Sequence, residues 1–271
     1  MPLYSAVAPL PVNRIKNRLF DPDARDYILR VEAADGERLE SQVRGAINSF
    51  VIGCKADGIW TSLVTSCIMA GARTVAGAIT PLVGNAPTNN NFVAGDYSRT
   101  LGLLGNDTDK YLATGYNNND TTNFPQNDSH ISCYVSASQT DATGTLAGGL
   151  NFGNGNRMSL HYATATQIGA RNRGFAASTV ALAPIGFQGN TRNNSANFSR
   201  RFTTSSGKLE AVLTSASGTP SSELFGVFAG GSGLNFSNAR MSFYSIGKSL
   251  TLSSLDSRVT TLMNTLASVI A

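Results

Sequence analysis

From Thr80 to about residue 250 the apolar residues come only in short runs, each broken by Gly, Asn, Pro, Ser or Thr. Runs this short cannot sustain helices of ordinary length, but they match strands of four to eight residues. Candidate strands cover 131–136, 144–152, 158–163, 167–170, 186–190, 196–202, 209–215, 224–228 and 240–246. Several alternate: between 131 and 136, Cys133 and Val135 face one way while Ser132, Tyr134 and Ser136 face the other. Turn chemistry separates the runs at Asn154-Gly155, Arg173-Gly174, Ser206-Gly207 and Ser217-Gly218. Many short strands at this spacing predict an antiparallel sandwich or jelly roll and exclude parallel α/β folds.

The first fifth of the chain is different. Of 38 Lys, Arg, Asp and Glu residues, 16 lie between Arg14 and Asp57, eight of each sign. Residues 1–20 hold three prolines and alternate Arg14, Lys16 and Arg18 with Ile15, Asn17 and Leu19, as an extended basic arm would. Asp21-Pro22-Asp23 then opens a helix: an N-cap, a proline where a missing N–H costs nothing, and an acid favoured by the helix dipole. Ile28, Val31, Leu39, Val43, Ile47 and Phe50 share one face, interrupted at Gly36, and Gly53 is expected to end the segment. A third helix is expected from Asp57 or Gly58 through Trp60 and Ile68 to Gly71, apolar nearly all round and therefore buried, with Trp60 anchoring arm to body. At the other end Leu252, Leu255, Val259, Leu262, Leu266 and Val269 recur at spacings of 3, 4, 3, 4 and 3, a clear amphipathic helix. Ser253 or Ser254 would cap it, with Asp256 in its first turn.

Composition narrows the chemistry. The net charge is +4, but outside the pairs Arg171/Arg173 and Arg200/Arg201 the positive residues of the body are scattered, which argues against nucleic acid as a partner. Cys54, Cys67 and Cys133 are odd in number and lack metal-site spacing, so reduced, buried thiols are expected. No run approaches the roughly 20 apolar residues that cross a bilayer, and residues 1–13 do not read as a secretory signal. His130 and His161 both fall in predicted strands with no acidic neighbour, and no GxSxG, HExxH, Walker or dinucleotide motif is present. The body carboxylates do not pair as a glycosidase requires. Asn106-Asp107-Thr108-Asp109 reads as a polar turn more readily than as a Ca²⁺ loop. Tyr97, Tyr111, Tyr116 and Phe124 fall in loop-like segments and are the candidate glycan-facing aromatics, while Tyr116 to Ser129 reads as a long exposed polar loop. No catalytic, metal or cofactor residue is assigned.

Two blocks carry a resemblance. The run from Arg240 through Phe243-Tyr244-Ser245-Ile246-Gly247 to Leu250, followed by the helix through Asn264, resembles the end of concanavalin A-like or laminin-G-like jelly rolls in tailed-phage virion proteins. The stretch Lys55-Ala56-Asp57-Gly58-Ile59-Trp60, continued by Cys67 to Thr74, Pro81 to Gly84 and Asn91 to Tyr97, is similar to the entry to such domains. The resemblance covers residues 55–271 and implies a mainly β, concanavalin A-like jelly roll; the paired Asp and Asn of the lectin metal motif are not recognisable.

Together these readings predict a helical anchor at 1–57 and a sandwich at 58–271 ending in the C-terminal helix. The implied role is a non-enzymatic structural component of a bacteriophage virion, assembled in the host cytoplasm. A tail fibre or baseplate appendage is favoured over a capsid cement or head-spike protein, and both over a carbohydrate-active enzyme or lectin. Arg14, Ile15, Leu19, Ile28, Val31, Leu39, Val43, Ile47 and Phe50 are the expected contacts to other virion proteins or within a homotrimer. A host-surface glycan is the expected outer partner. Deleting residues 1–50 is expected to leave a soluble β-rich domain that no longer joins the particle.

Overall fold

The computed structural model describes residues 20–140, 143–149, 156–164, 166–174, 178–181, 185–231 and 233–270. Arg14, Ile15, Leu19 and the Asn154-Gly155 turn lie outside the described residues.

The chain builds three layers: helices, a large sheet and a second sheet. The large sheet runs β14 (Gly207–Thr214), β13 (Asn197–Thr204), β12 (Gly186–Arg192), β7 (Ser129–Ala137), β16 (Arg240–Gly247), β1 (Leu63–Ile68) and β2 (Pro81–Val83). Two short strands, β4 (Tyr97–Ser98) and β5 (Gly102–Leu104), join it along β16. The facing sheet runs β11 (Ser178–Ala181), β10 (Gln167–Asn172), β9 (Met158–Thr164), β8 (Gly144–Gly148), β15 (Leu224–Val227), β6 (Tyr111–Asn117) and β3 (Thr88–Asn90). Every pairing is antiparallel, so the expected sandwich is what forms. Between the sheets, Cys67, Ile131, Cys133, Val135, Tyr244 and Ile246 meet Leu112, Leu146, Leu160, Ile168, Phe225 and Val227, all fully buried. Each such side chain is worth about 2 kcal/mol relative to exposure.

A second core lies on the opposite face of the large sheet, because β16 and β1 are apolar on both sides. Phe243 and Ile68 point away from the inter-sheet core and are covered by helices α1 (Pro22–Asp35), α2 (Ser41–Ala56) and α4 (Leu252–Ile270). A one-turn helix, α3 (Val75–Ala78), precedes β2 and packs beside α1. Asp21 caps α1 as expected, accepting from Asp23 N at 3.0 Å, and Gly36 takes the left-handed conformation that separates α1 from α2. α2 continues past Gly53 to Ala56; a Cβ at Gly53 would sit 2.8 Å from the Arg258 side chain, so that glycine admits α4 and does not stop the helix.

The expected third helix does not exist. Residues 60–62 make a 3₁₀ turn, and Leu63–Ile68 is β1, paired with β16 on one side and β2 on the other. A strand buried on both faces is apolar all round, as a buried helix is, so the pattern alone cannot separate them. Trp60 sits half-buried at the rim of the helical core with the Lys55 ammonium 5.7 Å from its ring, not at its centre.

The proposed anchor face is spent within the chain. Ile28, Val31, Leu39, Val43, Ile47 and Phe50 are each at most 5 % exposed and pack into the cluster holding Phe243, Leu255 and Leu262, with Phe50 edge-on to Phe243 at 5.9 Å. The C-terminal seam is spent the same way: Leu252, Leu255, Val259, Leu262 and Leu266 are buried against this cluster. Neither seam is therefore open to a second copy or to another protein, and residues 22–56 share a core with the body. α4 starts at Leu252, which moves Asp256 out of the first turn. Its buried carboxylate instead accepts from Arg201 Nε at 2.6 Å and Lys208 Nζ at 2.7 Å, clamping the helix to the β13–β14 hairpin.

Candidate functional site

The segment from Tyr116 to Ser129 is no free loop. Arg173, fully buried after β10, donates to Asn118 O at 2.7 Å, to Asn118 Oδ1 and to Phe124 O at 2.9 Å. Burial pushes its guanidinium pKa down to about 9, with nearby Glu223 opposing and Arg192 adding to the shift; the group remains cationic at neutral pH. Asp120 accepts from the backbone N–H groups of Thr122 and Asn123, and Asp128 from Ser249, so the segment is tied at both ends.

This places the four candidate aromatics, which form no common platform. Phe124 is fully buried, edge-on to Phe225 at 5.1 Å and Tyr116 at 5.6 Å, so it cannot stack on a ligand. Tyr97 donates its hydroxyl to Ala72 O at 2.8 Å beneath the helical layer, and half-buried Tyr111 packs edge-on to Phe236 at 5.9 Å. The Asn106–Asp109 segment is a self-contained turn: Asn106 Oδ1 accepts from the N–H groups of Thr108, Asp109 and Lys110. Among the described residues no three His, Cys, Asp or Glu side chains gather to hold a metal ion, and no helix is long and apolar enough to cross a membrane.

The two histidines separate sharply. His130 is sealed at the start of β7, the central strand of the large sheet, with Nδ1 2.5 Å from Lys248 O and Nε2 2.5 Å from Ser245 Oγ, and burial pulls its pKa to about 4. His161 lies on β9 and faces outward from the second sheet, since Met158, Leu160 and Tyr162 point to the core. In register, His161 is flanked by Thr145 on β8 and Gly169 on β10; one step along, Ser159 is flanked by Gly148 and Arg171. Two glycines thus flank the two polar residues. A Cβ at Gly169 would meet His161 Nε2 at 2.5 Å, so the imidazole lies in space only glycine leaves. At Gly148, φ is +137° and a Cβ would meet Met158 O at 2.4 Å, which demands glycine twice over.

Of these, Thr145, Ser159 and His161 line a groove of about 390 Å³, to which Arg157 and Asn235 also contribute. Asn235 Nδ2 donates to Thr145 Oγ1 at 3.1 Å, while Thr145 N donates to Asn235 O at 2.8 Å, which fixes one wall. His161 Nδ1 is 3.3 Å from Ser159 Oγ. Burial first, then the positive charges of Arg157 and Arg171, pull the His161 pKa to about 4, so the ring is neutral at physiological pH. Burial also lowers the pKa of Arg157, with Arg171 adding to the shift and Glu223 opposing. The groove is thus polar, with a neutral imidazole able to donate or accept. Alternation over 158–162 marks His161 and Ser159 as outward-facing; the convergence of Arg157, Arg171 and Thr145 upon them depends on strand order, which no local pattern reveals.

A second concavity, of about 530 Å³, lies between α3 and the segment before β4 and is lined by Ile79, Phe92, Val93 and Tyr97. Its two cations, Arg73 and Arg99, are both committed to Glu40, leaving an apolar hollow with no free polar recognition. The sheet-face groove is the better candidate site.

No protein-family model matches this chain, and no curated protein matches it. Among solved structures, the chain is similar to the binding domain of botulinum neurotoxin serotype D, at 11% identity and a TM-score of 0.47, covering 74% of this chain and 51% of that one. It is also similar to Trypanosoma rangeli sialidase, at 11% identity and a TM-score of 0.48, covering 82% of this chain and 39% of that one. The chain spans about half or less of these structures, and no groove residue is carried over from them. The fold itself rests on the sheet order: two antiparallel sheets in a sandwich, with helices over one face.

Proposed function

We propose that this chain is a non-catalytic structural component of a phage virion, a tail fibre or baseplate appendage whose second sheet faces outward and meets the host surface. The observation that carries this reading is the unequal treatment of the two outer faces. Helices cover one of them, and the other holds a polar groove lined by Thr145, Arg157, Ser159, His161 and Asn235. The sequence resemblance over residues 55–271 supplies the virion setting.

A non-catalytic role is supported by how the body's carboxylates are used. Asp96 pairs with Lys110 at 2.5 Å, Asp256 with Arg201 and Lys208, Glu210 with Arg201, and Asp120 and Asp128 accept from backbone and side-chain donors. Groups committed in this way hold the fold and are poorly placed to shuttle protons. Because the helical seams are filled internally, attachment to the particle and assembly into a trimer fall to other surfaces, with residues 1–19 as the first segment to test.

Electron cryo-microscopy of purified particles, with mass spectrometry of their proteins, tests the reading. The expected result is sandwich density on the tail with the second sheet outermost, lost when residues 1–19 are deleted. Absence of the chain from purified particles overturns it.

A further inference from the structure

We propose that the free edge of the large sheet, strand β14, pairs antiparallel with the β14 edge of a second copy of this chain, about a two-fold axis beside Ala211. The contact goes beyond the virion reading and does not depend on it. A long unpaired edge is a template for another strand, and among the described residues β14 is the one long edge. It pairs there with β13 alone, over eight residues and without a bulge. The other edges are blunted: β2 and β3 have three residues each, β2 opens on Pro81, and β11 has four.

The ladder tells which backbone groups face outward. Ser215 N donates to Ala196 O at 2.9 Å, continuing the β13–β14 register by one residue. Bonded pairs recur at every second residue of an antiparallel ladder, so Leu209, Ala211 and Leu213 turn their N–H and C=O groups to β13, and Lys208, Glu210, Val212 and Thr214 turn theirs away. All four are exposed, and Val212, at 68 %, is the most open large apolar residue among the described residues. Two charges stand on this edge, but neither guards it. Lys208 is drawn to Asp256 at 2.7 Å and Glu210 to Arg201. Two copies keep their faces in line only when residues of equal parity stand opposite, and two such registers pair seven residues of β14. One sets Glu210 against Glu210. The other puts Ala211 at the axis, Glu210 opposite Val212, Lys208 opposite Thr214 and Leu209 opposite Leu213; no like charges meet, and every outward N–H and C=O gains a partner. On the helix side, a hollow of about 380 Å³ lined by Glu210, Val212, Leu252 and Ser253 leaves room for the incoming side chains. Each copy has one such edge, so the association closes at a pair and doubles whatever copy number other surfaces set.

Sedimentation equilibrium of the full chain at up to about 100 µM tests this, because a single strand edge is smaller than a standard interface and should hold in the micromolar range. An even copy number is expected: two, or six where three-fold association also forms. Val212 is exposed, so its variants probe the contact without unpacking the core. Val212→Glu sets a carboxylate opposite the facing Glu210, twice by symmetry, and should weaken pairing about tenfold or more while a dilute sample melts as the parent does. Val212→Lys sets an ammonium there instead and should pair within about threefold of the parent. A copy number that stays odd at every concentration overturns the proposal and leaves the edge to a strand of another protein. Equal weakening by both variants also overturns it, since an unspecific apolar contact at Val212 would lose with either charge, as does a mass unmoved by Val212→Glu.

Discussion

The two sheets share one core but treat their outer faces in opposite ways. The outer face of the large sheet is apolar, with Phe243, Phe187 and Ile68 fully buried beneath α1, α2 and α4. The outer face of the second sheet carries Thr145, Ser159, His161 and Arg171 with glycines beside them. A sandwich needs only one apolar face per sheet, so an apolar second face is a demand for cover and a polar second face is an opportunity for recognition. The difference teaches which part of the chain is structural: the charged N-terminal helices are the lid of the large sheet.

The largest effect should come from removing that lid. Deletion of residues 1–56 is expected to yield aggregated protein, because the Phe243 face is left bare; recovery of a monomeric, cooperatively melting domain would restore the reading of a detachable anchor. The milder Phe50→Ala should cost about 4 kcal/mol, from lost burial and the cavity left against Phe243, and lower the melting temperature accordingly.

Next comes the clamp between α4 and the β13–β14 hairpin. Asp256 is 2 % exposed and faces two cations, so Asp256→Ala takes away the buried partner of both, leaving Arg201 only Glu210 and Lys208 no carboxylate. A loss of about 3 kcal/mol is expected in denaturant melts. A loss below experimental error would mean the hairpin moves aside and the clamp is ornamental.

Acidification should then act on the faces in separate windows. Both histidines have folded pKa values near 4, below the ordinary 6.5, so the unfolded chain takes up protons more readily. Their contribution is fully present above pH 6.5 and is lost as pH falls towards about 4. Glu40, held at about 2 chiefly by its hydrogen bond from Arg99, contributes above 4.5 and loses that contribution as pH falls from there to about 2. Melting temperature against pH should therefore decline in the upper window first. His161→Asn should flatten part of that decline while leaving the lower window intact; an unchanged profile would place His161 in water.

Much of this fold was legible in the sequence because the signals are local. Each of the nine expected strands has a counterpart among the described residues, with 150–152 of the 144–152 run lying outside them, Asp21 caps its helix, and Gly36 breaks the run where a left-handed residue was needed. What misled was long-range. β1 looked helical because β16 and β2 bury both of its faces, and the N-terminal apolar stripe looked available because nothing local tells whether Val43 meets another chain or Phe243. The Asn-rich segment looked free because its tether, Arg173, is 55 residues beyond Asn118. At the groove, His161 and Ser159 were visible as outward residues of one strand, but their neighbours come from β8 and β10, and only the register makes them a site.

The smallest effect asks whether lid and sandwich open together. Burial raises the pKa of all three thiols, Cys54 and Cys67 to about 12 and Cys133 further, so at pH 8 alkylation is limited by opening of the structure. Cys54 lies in the last turns of α2, whose end is fastened by Lys55 to Asp21 at 2.7 Å and to Asp23 at 2.6 Å, ion pairs partly open to water. Such pairs are weak fastenings, whereas Cys67 and Cys133 sit between the sheets, where exposure requires the core to part. Cys54 should therefore label ahead of the other two in native buffer, and Lys55→Ala should speed it by about two- to fivefold while leaving Cys67 and Cys133 unchanged. If all three label at one rate in both proteins, the helices and the sandwich unfold as a single unit, and the lid is as permanent as the sheet it covers.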